Sequence, residues 1–388
     1  PGPDAEAEFR AAMDAHVPGN VIRLLPGQYD FHTSLMILGN NDMRIEGAGP
    51  EQTLIRFTHE ADAGGWWFRY CDQLVVKDLR IENQFRRNII VDSSRGVHLS
   101  NLLLGREAFV ERHSPACNLE LIAVKDARVA NCRLRNCWYS NLHVRDSERV
   151  AIDHTTVSGA SAGMLVSNSS SVDITNSSVR DGICGIVLIA DSEREPGYAR
   201  NIRVVGNTIE NNNVEDWLGT MKYLSIANYG TGIISVGVQE LDIANNTIRN
   251  HLAMPLTITS LVNYSHVLTV YSSSFSAGYS ISDTNAVSPR NVQVFDNTID
   301  APAPELEGPH SDFYRYNFVS QGGVDINRMR REITLGIQGM DASTRNICFS
   351  NNGPDVGLTV LEDSTATISD FACTPQPLPP VQVEVPDL

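Results

Sequence analysis

The sequence has very little lysine and no long apolar segment. Lysine occurs only at Lys77, Lys125 and Lys222, and 46 acidic residues against 30 basic ones give a formal net charge of -16. This charge argues against non-specific binding to nucleic acid or to an anionic membrane. No apolar stretch is long enough to span a bilayer as a helix. An anionic substrate would therefore need a local basic patch or a bridging cation.

The sequence also lacks the usual metal-binding patterns. Its seven cysteines include no C-x-x-C pair, which disfavours a zinc site. No D-x-D-x-D-G loop is present, so calcium held by scattered carboxylates is the one cofactor candidate, and its position is open. Cys348 and Cys373 bracket the last ordered-looking segment and could close it as a disulfide. We interpret Cys132, Cys137 and Cys184 as buried thiols.

We expect that a signal peptide has been removed from the chain. The sequence begins at "PGPDAEAEF" without methionine, as a chain trimmed of such a peptide would. We therefore expect an exported protein, secreted or periplasmic, and we expect a monomer.

The first segment is predicted to be a helix. Residues 4–16 place Ala5, Phe9, Ala12 and Met13 near one helical face. Short strands with glycine and proline punctuation follow. The helix is thus expected to cap a strand-rich domain.

The rest of the chain repeats a short alternating pattern. Apolar residues recur with period two inside short segments, and the segments themselves recur every 22 to 51 residues without a helical period. The equivalent positions are Val76, Leu99, Val129, Ile152, Ile174, Val204, Ile243 and Val294. This pattern predicts an all-β fold, a single-stranded parallel β-helix in which each repeat is one rung.

One phrase, "GNTIENNN", returns as "NNTIRN" and "DNTIDA". In a parallel β-helix, Asn207, Asn246 and Asn297 would occupy the same corner of successive rungs, about 4.8 Å apart. Asparagine tolerates left-handed backbone there and can pair its amide with the next rung. We therefore interpret the recurrence as architectural.

Segments that depart from the repeat are predicted to be loops. They lie near residues 105–117, 213–230, 261–290 and 302–345. We expect one β-helix domain over residues 1–373, followed by a disordered proline-rich tail at 374–388 that does not join the core.

Several phrases carry a family resemblance: "SGASAG", "NTIENNN", "GTGI", "NNTIRN" and "ICFSNNG". With them the chain resembles right-handed parallel β-helix proteins of the pectate-lyase-like superfamily, and more narrowly a bacterial exported group of unsettled activity. The resemblance covers about residues 20–373 and implies a right-handed solenoid. The superfamily includes polysaccharide lyases, uronan epimerases, glycoside hydrolases and tail-spike proteins, so the fold alone does not select an activity.

Family signatures narrow the choice by their absence. The Asp-Pro-His-Asp signature of alginate epimerases is missing, and so are the Asn-Thr-Asp and paired Asp motifs of polygalacturonases. "VAIDHTTVS" resembles the "WIDH" phrase of pectate lyases, but Ala151 stands in place of its Trp and the Arg-bearing motif that should follow is not visible.

The candidate catalytic residues come from strand parity. If Leu142 and Val144 point inward, His143 and Arg145 point outward, and Glu120 lies about one strand spacing from His143. We assign His143 as a base, Arg145 as a stabiliser of developing charge, and Glu120 as the group that orients His143. The alternative is a solvated cross-strand charge pair worth a few tenths of a kcal/mol.

Other residues are candidates for substrate binding. Arg112 and His113 lie in the loop before the strand of Glu120, where they could overhang the same surface or simply keep the loop soluble. Aromatic candidates for stacking on sugar rings are Trp66, Trp67, Trp138 and Tyr139. The alternative for these aromatic residues is that they seal corners of the core.

These observations favour an exported carbohydrate-active protein with a polysaccharide as its partner. The leading hypothesis is a lyase-type enzyme that acts on an acidic uronate glycan by proton abstraction and β-elimination. A non-catalytic glycan-binding or surface module is the first alternative. A glycoside hydrolase that uses paired carboxylates is the second.

Overall fold

A computed structural model describes most of the chain. The described residues are 5–58, 65–82, 87–108, 116–190, 199–212, 230–251, 254–259, 289–300, 332–336, 345–353, 356–361 and 373–388. They form an all-β parallel solenoid with one short helix, as the repeat predicts. Two compact units can be distinguished. The first comprises Pro1–Met164, Ser171–Ser177 and Val381–Leu388, and the second Leu165–Ser170 and Ser178–Pro380.

The helix α1 (Ala5–Asp14) confirms the predicted cap. Its buried residues are Ala5, Phe9 and Met13, one every four positions, and the Phe9 ring stacks on Trp66 with centroids 5.3 Å apart. Ala12 is exposed. The apolar stripe is therefore narrower than the sequence suggests.

Within the described ranges, thirty strands follow in chain order. The first sixteen are β1 (Val21–Arg23), β2 (Gly27–Phe31), β3 (Leu35–Leu38), β4 (Asn41–Glu46), β5 (Thr53–Phe57), β6 (Trp66–Arg69), β7 (Asp72–Glu82), β8 (Arg87–Asp92), β9 (Arg95–Leu104), β10 (Cys117–Ile122), β11 (Lys125–Ala130), β12 (Arg133–Arg135), β13 (Ser140–Arg145), β14 (Glu148–Asp153), β15 (Thr156–Ser158) and β16 (Ala162–Ser167). The others are β17 (Ser170–Thr175), β18 (Ser178–Arg180), β19 (Cys184–Ile189), β20 (Arg200–Val205), β21 (Thr208–Glu210), β22 (Thr231–Val236), β23 (Gln239–Ala244), β24 (Thr247–Arg249), β25 (Leu256–Thr259), β26 (Arg290–Phe295), β27 (Thr298–Ile299), β28 (Glu332–Gly336), β29 (Arg345–Ser350) and β30 (Gly357–Leu361).

In the first unit the strands pair in parallel on three faces. The front face is built from β3, β6, β8, β10 and β13. The middle face contains β4, the first part of β7 and of β9, β11, β14 and β17, and the back face contains β2, β5, the second part of β7 and of β9, β12 and β15. Side chains alternate between the solenoid interior and its outer surface because successive residues of a strand point to opposite sides.

The second unit repeats this organisation. Strands β19, β22, β25, β28 and β30 pair in one face, β20, β23, β26 and β29 in another, and β18, β21, β24 and β27 in a third. Strand β28 lies inside the stretch that the sequence analysis assigned to an irregular loop, so that assignment is wrong for Glu332–Gly336. Most of the stretches predicted as loops near 213–230, 261–290 and 302–345 lie outside the described residues.

The recurring asparagines of the second unit form a buried ladder. The amide oxygen of Asn246 accepts hydrogen bonds from the backbone N–H and the side-chain amide of Asn207 at 2.9 and 3.0 Å. Asn297 receives the same two bonds from Asn246, and Asn352 continues the ladder. The architectural interpretation is confirmed, with one correction. Left-handed backbone occurs one position earlier, as at Asn245 with φ 55°, because the corner turns before the ladder residue.

The cysteines behave as expected. Cys348 and Cys373 form a disulfide with their Cα atoms 5.8 Å apart, and Cys132, Cys137 and Cys184 are buried free thiols. Within the part of the chain that the structure describes, no helix has the length and apolarity needed to cross a membrane.

The proline-rich tail contradicts the expectation of disorder. In the second unit the backbone N–H of Leu378 donates to Asp242 at 2.6 Å, and Gln376 exchanges two hydrogen bonds with Gln293. In the first unit Val381–Leu388 lies against the middle face. The tail is ordered because polar side chains on the outer surface satisfy its backbone groups, a means of attachment that needs no apolar core.

Candidate functional site

Two neighbouring strands of the front face position the predicted catalytic residues. Strands β10 and β13 pair so that Glu120 lies opposite His143 and Ile122 opposite Arg145. The flanking residues Leu119, Leu121, Leu142 and Val144 are fully buried in the solenoid interior. Glu120, His143 and Arg145 therefore point to the outer side of the same face. The predicted placement is confirmed, whereas their chemical roles remain predictions.

The carboxylate and the imidazole are in contact. Glu120 Oε1 lies 3.4 Å from His143 Nδ1, and each side chain is only 4% exposed. The other oxygen, Oε2, contacts Nε of Arg87. The two side chains thus form a buried pair on the outside of the sheet, with a guanidinium beside the carboxylate.

This environment keeps Glu120 ionised. Burial raises the pKa of Glu120, but the hydrogen bond and the charge of His143 oppose it. The charges of Arg87 and Arg145 act in the same direction as His143, so the pKa of Glu120 falls to about 2. An ionised carboxylate at Nδ1 can hold the imidazole in one orientation.

Arg87 is a site residue that the sequence analysis missed. It begins β8, in register with Cys117 at the start of β10, and reaches along the sheet to Glu120. The expected charge stabiliser, Arg145, contacts Asp146 at 3.7 Å and its side chain is 21% exposed. The repeat could have identified Arg87, because the interval from Arg87 to Cys117, at the starts of β8 and β10, matches one of the longer repeat intervals.

The aromatic candidates divide by strand parity. Trp66 points into the core, is fully buried, and packs between Phe9 and Phe68. A fully buried ring cannot stack on a sugar, so Trp66 drops out of the proposed substrate-binding set. Trp67 faces the outer side and is half-buried, in register with Ile90, which is in turn in register with Glu120.

Other aromatic and cationic groups lie on the front face or next to it. The Tyr139 ring meets the His143 ring edge to face, with centroids 5.9 Å apart. Trp138 is half-buried, and its carbonyl accepts a hydrogen bond from Ser161 at 2.7 Å. The guanidinium of Arg69 lies 4.7 Å from the ring centre of Tyr70, whose residue is 55% exposed. Tyr139 therefore contacts the pair, whereas Arg69 and the exposed Tyr70 lie at the end of β6, two strands from β10.

A second outward row lies beside the first. Arg69 is in register with Asp92, Asp92 with Ile122, and Ile122 with Arg145. Arg69 and Asp92 form an ion pair at 3.0 Å. Three guanidinium groups, those of Arg69, Arg87 and Arg145, thus lie on one face of a strongly acidic chain.

Two residues predicted to bind the substrate lie outside the part of the chain that the structure describes. Arg112 and His113 fall in residues 109–115, outside the described ranges. Among the described residues, no group of three or more His, Cys, Asp or Glu side chains could hold a metal ion. That part of the chain therefore locates neither a calcium site nor any other metal site.

Comparisons with known proteins agree with this architecture. Residues 67–248 match the family described as "Right handed beta helix region". The A-module of mannuronan C-5 epimerase AlgE6 from Azotobacter vinelandii is 12% identical, with a TM-score of 0.54 over 94% of this chain and 93% of that one. DFA-IIIase from Arthrobacter chlorophenolicus A6 is 14% identical, with a TM-score of 0.53 over 94% and 86%.

A viral protein, ORF18 of Geobacillus virus E2, is 10% identical, with a TM-score of 0.50 over 77% of this chain and 55% of that one. No curated protein matches the sequence significantly. At these identities the likeness shows the fold alone. The chain therefore has the right-handed parallel β-helix fold that its repeats and phrases predicted, and its activity must be argued from the site.

Proposed function

We propose that the chain acts on an acidic polysaccharide by removing the proton alpha to a uronate carboxylate, with His143 as the base. The observation that carries the proposal is the contact of His143 Nδ1 with Glu120 Oε1 at 3.4 Å. An imidazole held in one orientation by an ionised carboxylate is a suitable general base. This proposal makes the front face of the first unit the substrate-binding surface.

The chemistry uses each group in turn. Glu120 holds Nδ1 of His143, so Nε2 is the nitrogen that takes the proton from C5 of the sugar. The electron pair of the broken C–H bond moves onto the uronate carboxylate and then forms a double bond between C4 and C5. The bond from C4 to the bridging oxygen breaks, its electron pair stays on that oxygen, and the oxygen takes a proton from water. His143 afterwards returns the C5 proton to solvent. Unsaturated and reducing chain ends result.

Cationic groups support the same reaction. Negative charge develops on the uronate carboxylate as the proton leaves, and guanidinium groups stabilise such charge when they are already in place. Arg87 and Arg145 both act on Glu120 electrostatically, so they lie close enough to the pair for this role.

One of the similar folds belongs to an enzyme with related chemistry. The AlgE6 A-module is a mannuronan C-5 epimerase, and C-5 epimerisation of a uronate begins with removal of the same proton. This supports a uronate substrate for the present chain. The two reactions diverge once the proton has left, and elimination is the one proposed here.

One observation favours a second function. Glu120 and His143 are each only 4% exposed as side chains, so little of the pair is accessible to a polymeric substrate. A chain in which the pair is not catalytic would be a glycan-binding module, with Tyr70 and the outward guanidinium groups as its contacts.

Product analysis distinguishes these functions. The protein is incubated with a panel of uronate polymers, and the ultraviolet absorbance of unsaturated ends is followed for the wild type and His143→Ala. A matched control is His154→Ala, because His154 also contacts a carboxylate, that of Asp153, at 2.7 Å on another face. We expect activity in the wild type and the control and none in His143→Ala, with all three folded by circular dichroism.

Each other outcome has a definite meaning. Reducing ends that form without unsaturated product would indicate hydrolysis and reject the elimination. Retention on an immobilised glycan without turnover would favour the binding module. Equal activity in His143→Ala would exclude His143 as the base.

A further inference from the structure

The outer surface of the middle face in the first unit holds an extended peptide. Its last eight residues, Val381–Leu388, have the sequence VQVEVPDL. Val381, Val383 and Val385 are half-buried, whereas Gln382 and Glu384 are exposed. Such period-two alternation is that of an extended chain with one side against a surface.

Hydrogen bonds fix this segment at three points. The N–H of Val381 donates to Asp173 Oδ2 at 3.0 Å, and the N–H of Glu384 donates to Asp126 Oδ1 at 3.4 Å. His98 Nδ1 lies 2.9 Å from the carbonyl oxygen of Pro386. Because a carbonyl oxygen only accepts, Nδ1 of His98 carries the hydrogen in this contact.

The contact points show how the peptide crosses the sheet. Asp173 belongs to β17, Asp126 to β11 and His98 to β9, with β14 between β17 and β11. Three strand spacings amount to about 14 Å. The five residue-to-residue steps from Val381 to Pro386 span about 16 Å in an extended chain. The peptide therefore runs across the strands. Its backbone groups form hydrogen bonds with side chains, whereas a peptide added to the edge of a sheet would bond to the backbone of the edge strand.

The groups that bind the segment belong to the sheet, and one of them is fixed by a further residue. Asp126 is fully buried, and Arg149 donates to both of its oxygens at 2.6 Å. These hydrogen bonds lower the pKa of Asp126, so its carboxylate is ionised at neutral pH. Asp173 and His98 are buried to 6% and 5% exposure. Two acceptors, Asp173 and Asp126, and one donor, His98, at fixed intervals constitute a recognition surface for a peptide backbone, in contrast to an apolar patch that would accept any chain.

A charged contact accompanies these hydrogen bonds. Arg95 Nη2 lies 3.3 Å from Glu384, and both side chains are exposed, so the contact adds little affinity. Its position beside Asp126 nevertheless matches an acidic residue at the fourth position of the segment. The ligand described by these contacts is an extended peptide with alternating apolar residues, an acidic residue and a proline.

We propose that this surface is a peptide-binding groove whose ligand is the C-terminal segment Val381–Leu388, and that it binds the segment from a separate molecule as well as from its own chain. The groove lies on the middle face, so the proposal is independent of the front-face activity. Folding of the solenoid would then not require the segment to be covalently attached.

The test begins with the whole chain. A protease site is inserted after Pro380, the folded protein is cleaved, and it is dialysed against an excess of fluorescent, acetylated VQVEVPDL. Acetylation preserves the N–H that Val381 donates to Asp173. We expect about one label per chain to co-elute on gel filtration, and unlabelled peptide to compete with it.

Two modified peptides distinguish recognition from adhesion. N-methylation at Glu384 removes the N–H that Asp126 accepts, and should weaken binding about tenfold or more. N-methylation at Gln382, an exposed position, should weaken binding much less. Absence of co-eluting label, or equal binding of both methylated peptides, would overturn the proposal.

A second measurement does not depend on cleavage. In the uncut chain, Val383→Asp buries a charge against the groove and should release the segment, which hydrogen exchange at the Glu384 amide would report as faster exchange. Gln382→Asp places the same charge on the exposed side and should leave that exchange slow. The same rate in both variants would contradict specific docking.

Discussion

Replacing Glu120 by glutamine tests whether the front-face pair is the strongly coupled group that its geometry indicates. The pKa of Glu120 falls from an ordinary 4.5 to about 2 in the folded chain. Since one pKa unit corresponds to about 1.4 kcal/mol, the ionised carboxylate contributes about 3 kcal/mol to the free energy of unfolding. The side chain is 4% exposed, so solvent screening does not reduce this figure much.

The sign of the effect comes from the direction of the shift. A carboxyl group with a lowered pKa in the folded state stabilises the protein fully above its ordinary pKa. This contribution is lost as the pH falls from about 4.5 to about 2. Glutamine does not titrate, so Glu120→Gln should be less stable than the wild type at neutral pH, and the gap should shrink by about 3 kcal/mol towards pH 2.

The assay is denaturant unfolding of both proteins at several pH values. Other carboxyl groups with lowered pKa, such as Asp126 and Asp153, titrate in both proteins and cancel in the difference. Glu51→Gln serves as a control because Glu51 forms an exposed pair with Arg133 at 2.7 Å, which contributes little. A gap between Glu120→Gln and the wild type that stays constant down to about pH 2 would refute the proposed coupling.

Two further substitutions test the corners of the solenoid. Asn246→Ala removes the acceptor of two buried donors and should lower the free energy of unfolding by about 2 to 4 kcal/mol. The control is Asn245→Gly, at the exposed, left-handed position before Asn246, and it should change the free energy of unfolding by less than about 1 kcal/mol. Equal effects of the two substitutions in thermal unfolding would contradict the ladder. Gly105→Ala places a Cβ 2.0 Å from the carbonyl oxygen of Arg135, at a residue whose φ is 97°. The substitution should therefore lower the free energy of unfolding by about 2 kcal/mol or more. An unchanged melting temperature would show that the backbone relaxes freely at this position.

Much of the fold could be predicted because equivalent strands follow one another at countable residue intervals. In a parallel solenoid, the residue interval between equivalent strands sets which side chains become neighbours, and period-two alternation sets which way they point. Glu120 and His143 were brought together by this reasoning alone. Trp66 could also have been placed correctly, since Phe68 shares its parity and Arg69 shares that of Trp67.

The features that the sequence did not predict depend on contacts between residues at non-equivalent positions of different rungs. Arg87 reaches Glu120 along the sheet from a different register position, so strand parity does not identify it. The tail binds through Asp173, Asp126 and His98, which lie on strands far apart in the chain, and no local pattern links them. The composition of the tail predicted disorder because the tail has too few apolar residues to form a core. Composition does not show whether side chains elsewhere in the chain bind the backbone groups of the tail.

The central claim is that His143 removes the C5 proton of a uronate. The most direct measurement compares the rate at which the wild type forms unsaturated ends from a uronate polymer and from the same polymer deuterated at C5, with His143→Ala assayed in parallel. The account predicts slower conversion of the deuterated polymer and no conversion by His143→Ala. Unsaturated product formed at the same rate by His143→Ala, or no conversion of any uronate polymer by the wild type, would contradict it.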